Sequence, residues 1–214
     1  MAIKKNYNIS DVPHSLALAL IEKNHYLHRG CPIEHSFGLR DSFGQLRGVI
    51  IYGTPASPSL RKGVCGIEEK DNVIELTRLW IDDEVGHNGE SYLIGNTIPF
   101  VKKEIIVSFA DTSQNHLGIV YQATNWIYTG LSAKRKDMVI DGLDGHSITL
   151  FDKYKTVAEI KRVFGEKAHW KERPRKHRYV YFNCNKRRKK ELQNKLRYSV
   201  ENYPKNYSNP PLRG

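Results

Sequence analysis

Asp111 closes a run of apolar side chains, which makes it the first place in this chain to look for chemistry. It follows Glu104-Ile-Ile-Val-Ser-Phe-Ala110, the pattern of a strand covered on both faces. Ligands of α/β sheets collect outside the carboxyl ends of strands, so a carboxylate there can act as general base or ligand. A helix N-cap or turn aspartate is the plain alternative. Ser108 lies in the same strand. Tyr121, ten residues beyond Asp111, can point back as a proton donor oriented by Ser108, or it can sit in the core. Arg78 says more, because a guanidinium in the middle of an apolar strand needs an anion, either an acid of the chain or a ligand. Near the start, Asn24-His25-Tyr26-Leu27-His28-Arg29-Gly30 places two histidines and a tyrosine at a helix end. Such residues suit metal binding, proton transfer or phosphate contact. Cationic side chains at a helix C-terminus are the plain reading, and His28 and Arg29 are taken that way or as phosphate contacts.

The elements that must position these residues follow from periodicity. Val73-Ile-Glu-Leu-Thr-Arg-Leu-Trp-Ile81 is rich in β-branched and aromatic residues and stops at three acids, which predicts a strand carrying Arg78. Tyr92, Leu93, Ile94, Ile98 and Val101 predict a helix over 90–103, with Asn88 or Ser91 as cap and Pro99 kinking or shortening it. After the strand at 104–110 and a polar turn, apolar residues at spacings of three and four predict a helix over 117–129, with Gly130 as its left-handed C-cap. Upstream, 11–23 reads as a helix capped by Asp11, and 36–52 as a hairpin turning at 41–45. The Pro- and Ser-rich stretch 53–63 reads as a loop in which Arg61 and Lys62 can touch a phosphate. Downstream come a turn at 142–145, a strand at 146–151, a short helix at 157–164 closed by Gly165, and a final strand at 179–182. A surface-lying helix over 186–198 is capped by Asn185, and the end at 203–211 is irregular. Trp80 and Trp126 read as core. This is one α/β (α+β) domain with a mixed sheet flanked by helices, residues 1–182, followed by a basic C-terminal helix and tail, 183–214.

Composition narrows the function classes. The 214 residues are 39% hydrophobic and 27% charged, ordinary for a globular protein. No apolar run approaches the ~20 residues of a membrane-spanning helix, and the N-terminus lacks the apolar core of a secretory signal, so a cytoplasmic site without a membrane partner is expected. Three dispersed cysteines, Cys31, Cys65 and Cys184, suggest neither a disulfide framework nor a zinc motif. The net charge of +11 is uneven: residues 1–170 hold 20 Lys/Arg and 20 Asp/Glu, whereas 171–214 hold 14 and 3. A basic segment of that kind, including Lys186, Arg187 and Arg188, is the footprint of a polyanion such as double-stranded DNA; a solvated tail is the alternative. Tyr179, Tyr181, Tyr198, Tyr203 and Tyr207 interleave the charges and can stack on bases.

Several runs resemble the Mom family of phage DNA-modifying proteins: Glu75-Leu-Thr-Arg-Leu-Trp80, Ser108-Phe-Ala-Asp-Thr-Ser-Gln-Asn-His116, Gly118-Ile-Val-Tyr-Gln-Ala-Thr-Asn-Trp126 and Tyr128-Thr-Gly130. The likeness extends to Asn24-His-Tyr-Leu-His-Arg29 and Arg173-Pro-Arg-Lys-His-Arg-Tyr-Val-Tyr181, and so covers most of the chain. It implies a fold of the GNAT acyltransferase type. It also implies conversion of adenine in phage DNA, inside the host cell, to an N6-carbamoylmethyl form that host restriction enzymes do not cut. The family's His-Tyr pair assigns His25 and Tyr26 to the active site.

The chemistry implied is demanding, because the adenine amine is a poor nucleophile and acyl transfer would leave an amide at N6 instead of a CH₂ linkage. The resemblance also connects the family with iron, and His25, Tyr26 and Asp111 form a His/phenolate/carboxylate set of the kind iron accepts. Asp111 as general base, with Tyr121 as proton donor and Ser108 orienting it, needs no metal. An ordinary GNAT acetyltransferase holds the CoA pyrophosphate in an Arg/Gln-x-x-Gly-x-Gly/Ala turn at a helix N-terminus. Here Glu84-Val-Gly-His-Asn-Gly-Glu-Ser91 stands instead, and Glu90 opposes a phosphate, so acyl-CoA is disfavoured and the donor is another small molecule. Two other classes compete: a conventional N-acetyltransferase of a protein or small molecule, and a noncatalytic DNA-binding module.

Overall fold

The computed structural model describes residues 3, 6–143, 150–151 and 153–205. Its frame is a seven-stranded sheet built on the run from Val73 to Asp111. Strand β1 (Tyr7–Asp11) leads to helix α1 (His14–Asn24), then to the hairpin β2 (His35–Asp41) and β3 (Leu46–Gly53). Helix α2 (Pro58–Cys65) precedes β4 (Val73–Ile81), α3 (Gly89–Thr97), β5 (Ile105–Asp111), the short α4 (Ile119–Ala123) and β6 (Ile127–Leu131). A two-stranded ribbon, β7 (Lys136–Ile140) and β8 (Ala168–Glu172), encloses α5 (Val157–Phe164); β9 (Lys176–Phe182) and α6 (Lys186–Lys195) follow. The sheet order is β1-β2-β3-β4-β5-β9-β6. This is the expected mixed sheet flanked by helices.

All neighbours in the sheet are antiparallel except β4 and β5. Those two pair in parallel over only three positions, Val73 with Ile105, Ile74 with Ile106 and Glu75 with Val107. Beyond Glu75, β4 stays with β3 and β5 stays with β9, so the sheet opens like a V between them.

Three cores hold the V. Ile74, Leu76 and Ile106 pack with Leu93, Ile94, Tyr121 and Trp126 on one face. On the other, Ala17 and Ile21 of α1 pack on Val49 and Ile51, while Val64 of α2 and Leu192 of α6 pack on Val73, Ile105 and Val180. A fourth, small core of Met138, Ile140, Ile160 and Ala168 belongs to the ribbon and α5.

The structure departs from the sequence expectations in instructive places. The stretch 53–63 is not all loop, because Pro58 occupies the first turn of α2, where its missing N–H costs nothing. The helix over 117–129 is only α4, ending in a turn through the left-handed Asn125 (φ 60°). The β-branched and aromatic Ile127 and Tyr128 then pair with β9, and Thr129 and Gly130 (φ 77°) sit at an irregularity of β6 instead of a helix end. Pro99 shortens α3 to Thr97 and a single 3-10 turn follows. Asp11 ends β1 and caps nothing; Pro13 occupies the N-cap of α1. Helix α6 does not merely lie on the surface: Leu192 is fully buried, and the chain runs on to place the Tyr203 hydroxyl 2.7 Å from the Trp126 carbonyl. Of the expected strand at 146–151 only 150–151 are described, and they are helical; 144–149, which take in half of the 142–145 turn, and the end after 205 lie outside the described residues.

Candidate active site

The V between β4 and β5 holds a cavity of about 640 Å³, within the range of ~300–1,000 Å³ usual for small-molecule sites. Its walls are β4 from Glu75 to Ile81, Ser108 to Ala110 of β5, the end of α1 and the 115–121 stretch that starts α4. A β-bulge in β4 sets which side chains enter. Ile51 of β3 pairs with Arg78 while the next residue, Tyr52, pairs with Leu76, so Thr77 is an extra residue. Without it Glu75 and Arg78, three apart, would project to opposite faces; with it they share one, between the α1 and α2/α6 cores. The core memberships agree, since Ile74, Leu76, Leu79 and Ile81 all join the first core while Val73 and Trp80 join the cores of the other face.

Arg78 donates to the Thr77 carbonyl (2.7 Å) and the Gly30 carbonyl (3.3 Å), and its buried Nε has no hydrogen-bond partner. No carboxylate forms an ion pair with it among the described residues. The anion it requires is therefore not supplied by those residues, which leaves a ligand as the reading.

His25 is the C-cap of α1, with its own N–H on the Ile21 carbonyl at 2.9 Å. Its Nδ1 accepts the Leu27 N–H at 3.2 Å, which leaves the ring hydrogen on Nε2. Burial, and then the Arg78 charge, push its pKa down to about 4, so the ring is neutral at neutral pH. Its ring stacks on Tyr26 (centroids 4.3 Å), and Tyr26 meets His116 edge-on (5.6 Å) at the cavity mouth. Burial and the Asp111 charge raise the Tyr26 phenol, so it stays protonated.

Asp111 stands at the end of β5 and caps the turn after it. Its Oδ1 accepts the Ser113 N–H (3.0 Å) and hydroxyl (2.7 Å), and its Oδ2 pairs with Lys176 Nζ (2.9 Å). Burial alone would raise this carboxyl, but the bonds from Ser113 and Lys176 outweigh it and hold the pKa below the usual range. Asp111 is thus the turn aspartate of the plain alternative, standing at the strand end beside the cavity.

Ser108 and Tyr121 are brought together as expected. Ser108 Oγ lies 2.8 Å from the Tyr121 hydroxyl and 2.9 Å from the Leu76 carbonyl. A serine has one proton to give. Given to the carbonyl, it leaves Tyr121 donating to Ser108; given to Tyr121, it frees the phenol proton for a ligand. Tyr121 is also core, packed on Trp126 and Tyr179, with burial pushing its pKa up to about 12. Gly118 makes that packing possible: at φ 72° a Cβ would fall 2.4 Å from the Tyr179 ring.

The basic candidates divide. His28, itself left-handed (φ 42°), donates Nδ1–H to the Glu22 carbonyl at 3.0 Å, the plain helix-end reading. Arg29 is exposed beside it. Arg61 lies on α2 and faces Asp71 at 3.6 Å. Lys186 and Arg187 are exposed at the start of α6. Arg188 is a correction as a phosphate contact: its guanidinium holds Glu69 (2.7 Å), Glu104 (2.9 Å) and Glu191 (2.6 Å), so its donors are already engaged. Much of the basic segment is likewise consumed, Arg173 on Asp137, Lys176 on Asp111, Lys195 on Glu69 and Arg178 stacked 3.4 Å over the Tyr198 ring. Tyr179 is fully buried and Tyr198 lies under Arg178, so these two are packing residues and not platforms for bases; Tyr207 lies outside the described residues.

The residues do not form a ready metal set. No group of three or more His, Cys, Asp or Glu that could hold an ion occurs among the described residues. His25 has its acceptor nitrogen on Leu27, and the Asp111 oxygens are taken by Ser113 and Lys176. Iron would require His25 to turn its ring hydrogen over and Lys176 to release Asp111.

Three cavity residues escaped the sequence reading: His116, Lys176 and Glu75. Glu75 is the last β4 residue paired with β5. No hydrogen bond or ion pair reaches its carboxylate among the described residues, and burial, opposed by the charges of Arg78 and Lys176, raises its pKa to about 7. The available signal was an acid inside the same apolar strand that drew attention to Arg78.

The family model described as the Mom protein family matches residues 6–205. The chain is 32% identical over 196 residues to the methylcarbamoylase mom of Escherichia phage Mu, covering 85% of this chain and 73% of that protein. Among solved structures, a GNAT-family acetyltransferase from Bacillus cereus superposes with a TM-score of 0.46 at 11% identity, over 84% of this chain and 99% of that one. A spermidine/spermine N-acetyltransferase from Vibrio cholerae gives a TM-score of 0.46 at 9% identity, over 85% and 95%. No helix among the described residues is long and apolar enough to cross a membrane.

Proposed function

The chain belongs to the Mom protein family, and from that premise we propose that it is a transferase acting on adenine N6 in double-stranded DNA. The group installed is carbamoylmethyl, and its effect is to shield phage DNA from host restriction enzymes. The observation that carries this reading is the 32% identity to a methylcarbamoylase across most of both chains.

The cavity supports it. N6 of a paired adenine is engaged in base pairing, so the base must be extruded and received in a pocket, at a cost of a few kcal/mol. Tyr26 and His116 at the mouth offer an aromatic edge for it, and Arg78 offers a guanidinium that lacks an acid among the described residues, suited to a phosphate or to a carboxylate of the donor. His25 presents a neutral Nε2–H donor to the base or donor. Tyr121 and Ser108 hold a proton at the inner wall, and Lys176 and Asp111 fix the ends of β9 and β5 beside it. The donor is a small molecule other than acyl-CoA. Exposed Arg29, Lys186 and Arg187 are among the cations of the described residues open to phosphates.

The test is enzymatic digestion of DNA from cells making the protein, followed by mass spectrometry of the nucleosides. A carbamoylmethyl-adenine nucleoside is expected, and it should be absent with His25→Ala or Arg78→Ala proteins that remain folded. DNA identical to that of control cells would refute the reading.

A further inference from the structure

A new bond at N6 requires that nitrogen to lose a proton, and the cavity contains few groups able to take it. The Asp111 carboxylate faces Ser113 and Lys176 with both oxygens and is a weak base. His25 spends its only lone pair on the Leu27 amide. Tyr26 and Tyr121 are phenols whose protons are held more tightly than usual, so they give protons and do not take them. Lys176 is paired with Asp111. His116 is exposed at the mouth, away from the inner wall. Glu75 remains. It lies where the strands part, lines the cavity, and has no hydrogen-bond or ion-pair partner among the described residues to satisfy its carboxylate. The bulge at Thr77 turns it and Arg78 to the same face.

We propose that the Glu75 carboxylate is the catalytic base that takes the N6 proton, with Arg78 beside it fixing the anionic part of a reactant. The proposal rests on the adenine-modification reading. In the step, the N6–H bond breaks and its proton passes to a Glu75 oxygen. The electron pair left on nitrogen forms the bond to the methylene of an electrophilic carbamoylmethyl donor, whose leaving group departs with the pair of the broken carbon bond. Glu75 then returns the proton to water through the open mouth. Three titratable or charged groups act on it from the surrounding elements: Arg78 on its own strand, Lys176 on β9 and Tyr121 on α4. The two cations pull its proton affinity down and burial pushes it up, to about 7, so it is partly ionised at neutral pH and a stronger base than a solvated carboxylate.

The experiment uses the full-length protein, duplex DNA and the small-molecule fraction of a lysate as the source of donor, with the modified nucleoside read by mass spectrometry from pH 5.5 to 8.5. The wild-type rate should climb with pH and level off above about 7. Glu75→Gln should lose at least a hundredfold of the rate at pH 7.5, leave a residue that no longer follows this limb, and keep duplex binding; Glu75→Asp should recover part of the loss. His116→Gln should keep the limb. Near-wild-type modification by Glu75→Gln, or the same limb in its residual rate, would overturn the assignment. Absence of any modified nucleoside with the wild-type protein, in the assay and in cells, would instead overturn the function on which it rests.

Discussion

If Glu75 is kept unpaired for chemistry, the fold should be strained by its charge, and removing the charge should stabilise the protein. Burial moves the carboxyl from 4.5 in the unfolded chain to about 7 in the fold. At ~1.4 kcal/mol per pH unit this difference is worth about 3 kcal/mol, an upper bound because the open cavity admits water. The sign follows from proton counting. Between these two pKa values the folded protein holds a proton that the unfolded chain has released, so stability falls as pH rises. The contribution is fully present below 4.5 and gone once the pH has passed about 7. Glu75→Gln resembles the protonated side chain at every pH. It should therefore match wild type near pH 4.5 and exceed it at pH 8 by up to about 3 kcal/mol. Urea unfolding of both proteins at several pH values measures the gap directly, since pH effects of all other groups are shared. Parallel stability curves, or a variant weaker at pH 8, would show that Glu75 is ionised and well accommodated, and the argument for an energised base would fall.

Other outcomes follow from the same geometry. Arg188→Ala should lower stability by roughly 1–3 kcal/mol, between the worth of exposed and buried pairs, because it takes the guanidinium from Glu69, whose side chain is 8% exposed and keeps only Lys195 as a cation, and from Glu104. Thermal melts would show it, and a variant with unchanged melting but weaker DNA binding would restore Arg188 as a phosphate contact. Replacing exposed Lys186 and Arg187 together by Ala should reduce the slope of log affinity against log salt by about 2 for duplex DNA, with melting unchanged; an unaltered slope would place the anchor elsewhere. Calorimetry with CoA and acetyl-CoA should show no micromolar binding, and saturable tight binding would return the protein to acyl transfer.

How far the sequence discloses this arrangement depends on the range over which each feature is decided. The strands Val73–Ile81 and Ile105–Asp111 are legible because β-branched density is local, and so is the stop at Asp111. Helix α2 was signalled by Ser57-Pro58, but the surrounding Pro and Ser argued louder for a loop. The stretch after Gly118 misleads because Ile119, Val120, Tyr121, Trp126 and Ile127 recur at helical spacing, while pairing of Ile127 and Tyr128 with β9, some fifty residues later, decides the matter. Charge misleads for the same reason. Composition counts Arg173, Lys176, Arg188 and Lys195 as free cations, and only the fold shows the carboxylate each one holds.

The bulge at Thr77 is the deepest instance. Strict alternation along β4 would send Glu75 and Arg78 to opposite faces, which invites reading each as an isolated oddity of an apolar strand. One unmatched residue against β3 rephases the strand, so that a carboxylate and a guanidinium, each without an ion-pair partner among the described residues, look into one cavity. They do not neutralise each other in an ion pair, and Lys176, which could have paired with Glu75, holds Asp111 instead. A structural pair would have closed the distance and relaxed both groups. Keeping them apart preserves the proton affinity of one and the anion affinity of the other. Restoring alternation by deleting Thr77 should therefore abolish modification even where the sheet still forms, whereas Thr77→Ser, which keeps the residue count and the hydroxyl that donates to the Ile51 carbonyl, should retain it. Nucleoside analysis alongside circular dichroism of the two variants decides this, and activity in the folded deletion would refute the claim that the bulge assembles the site.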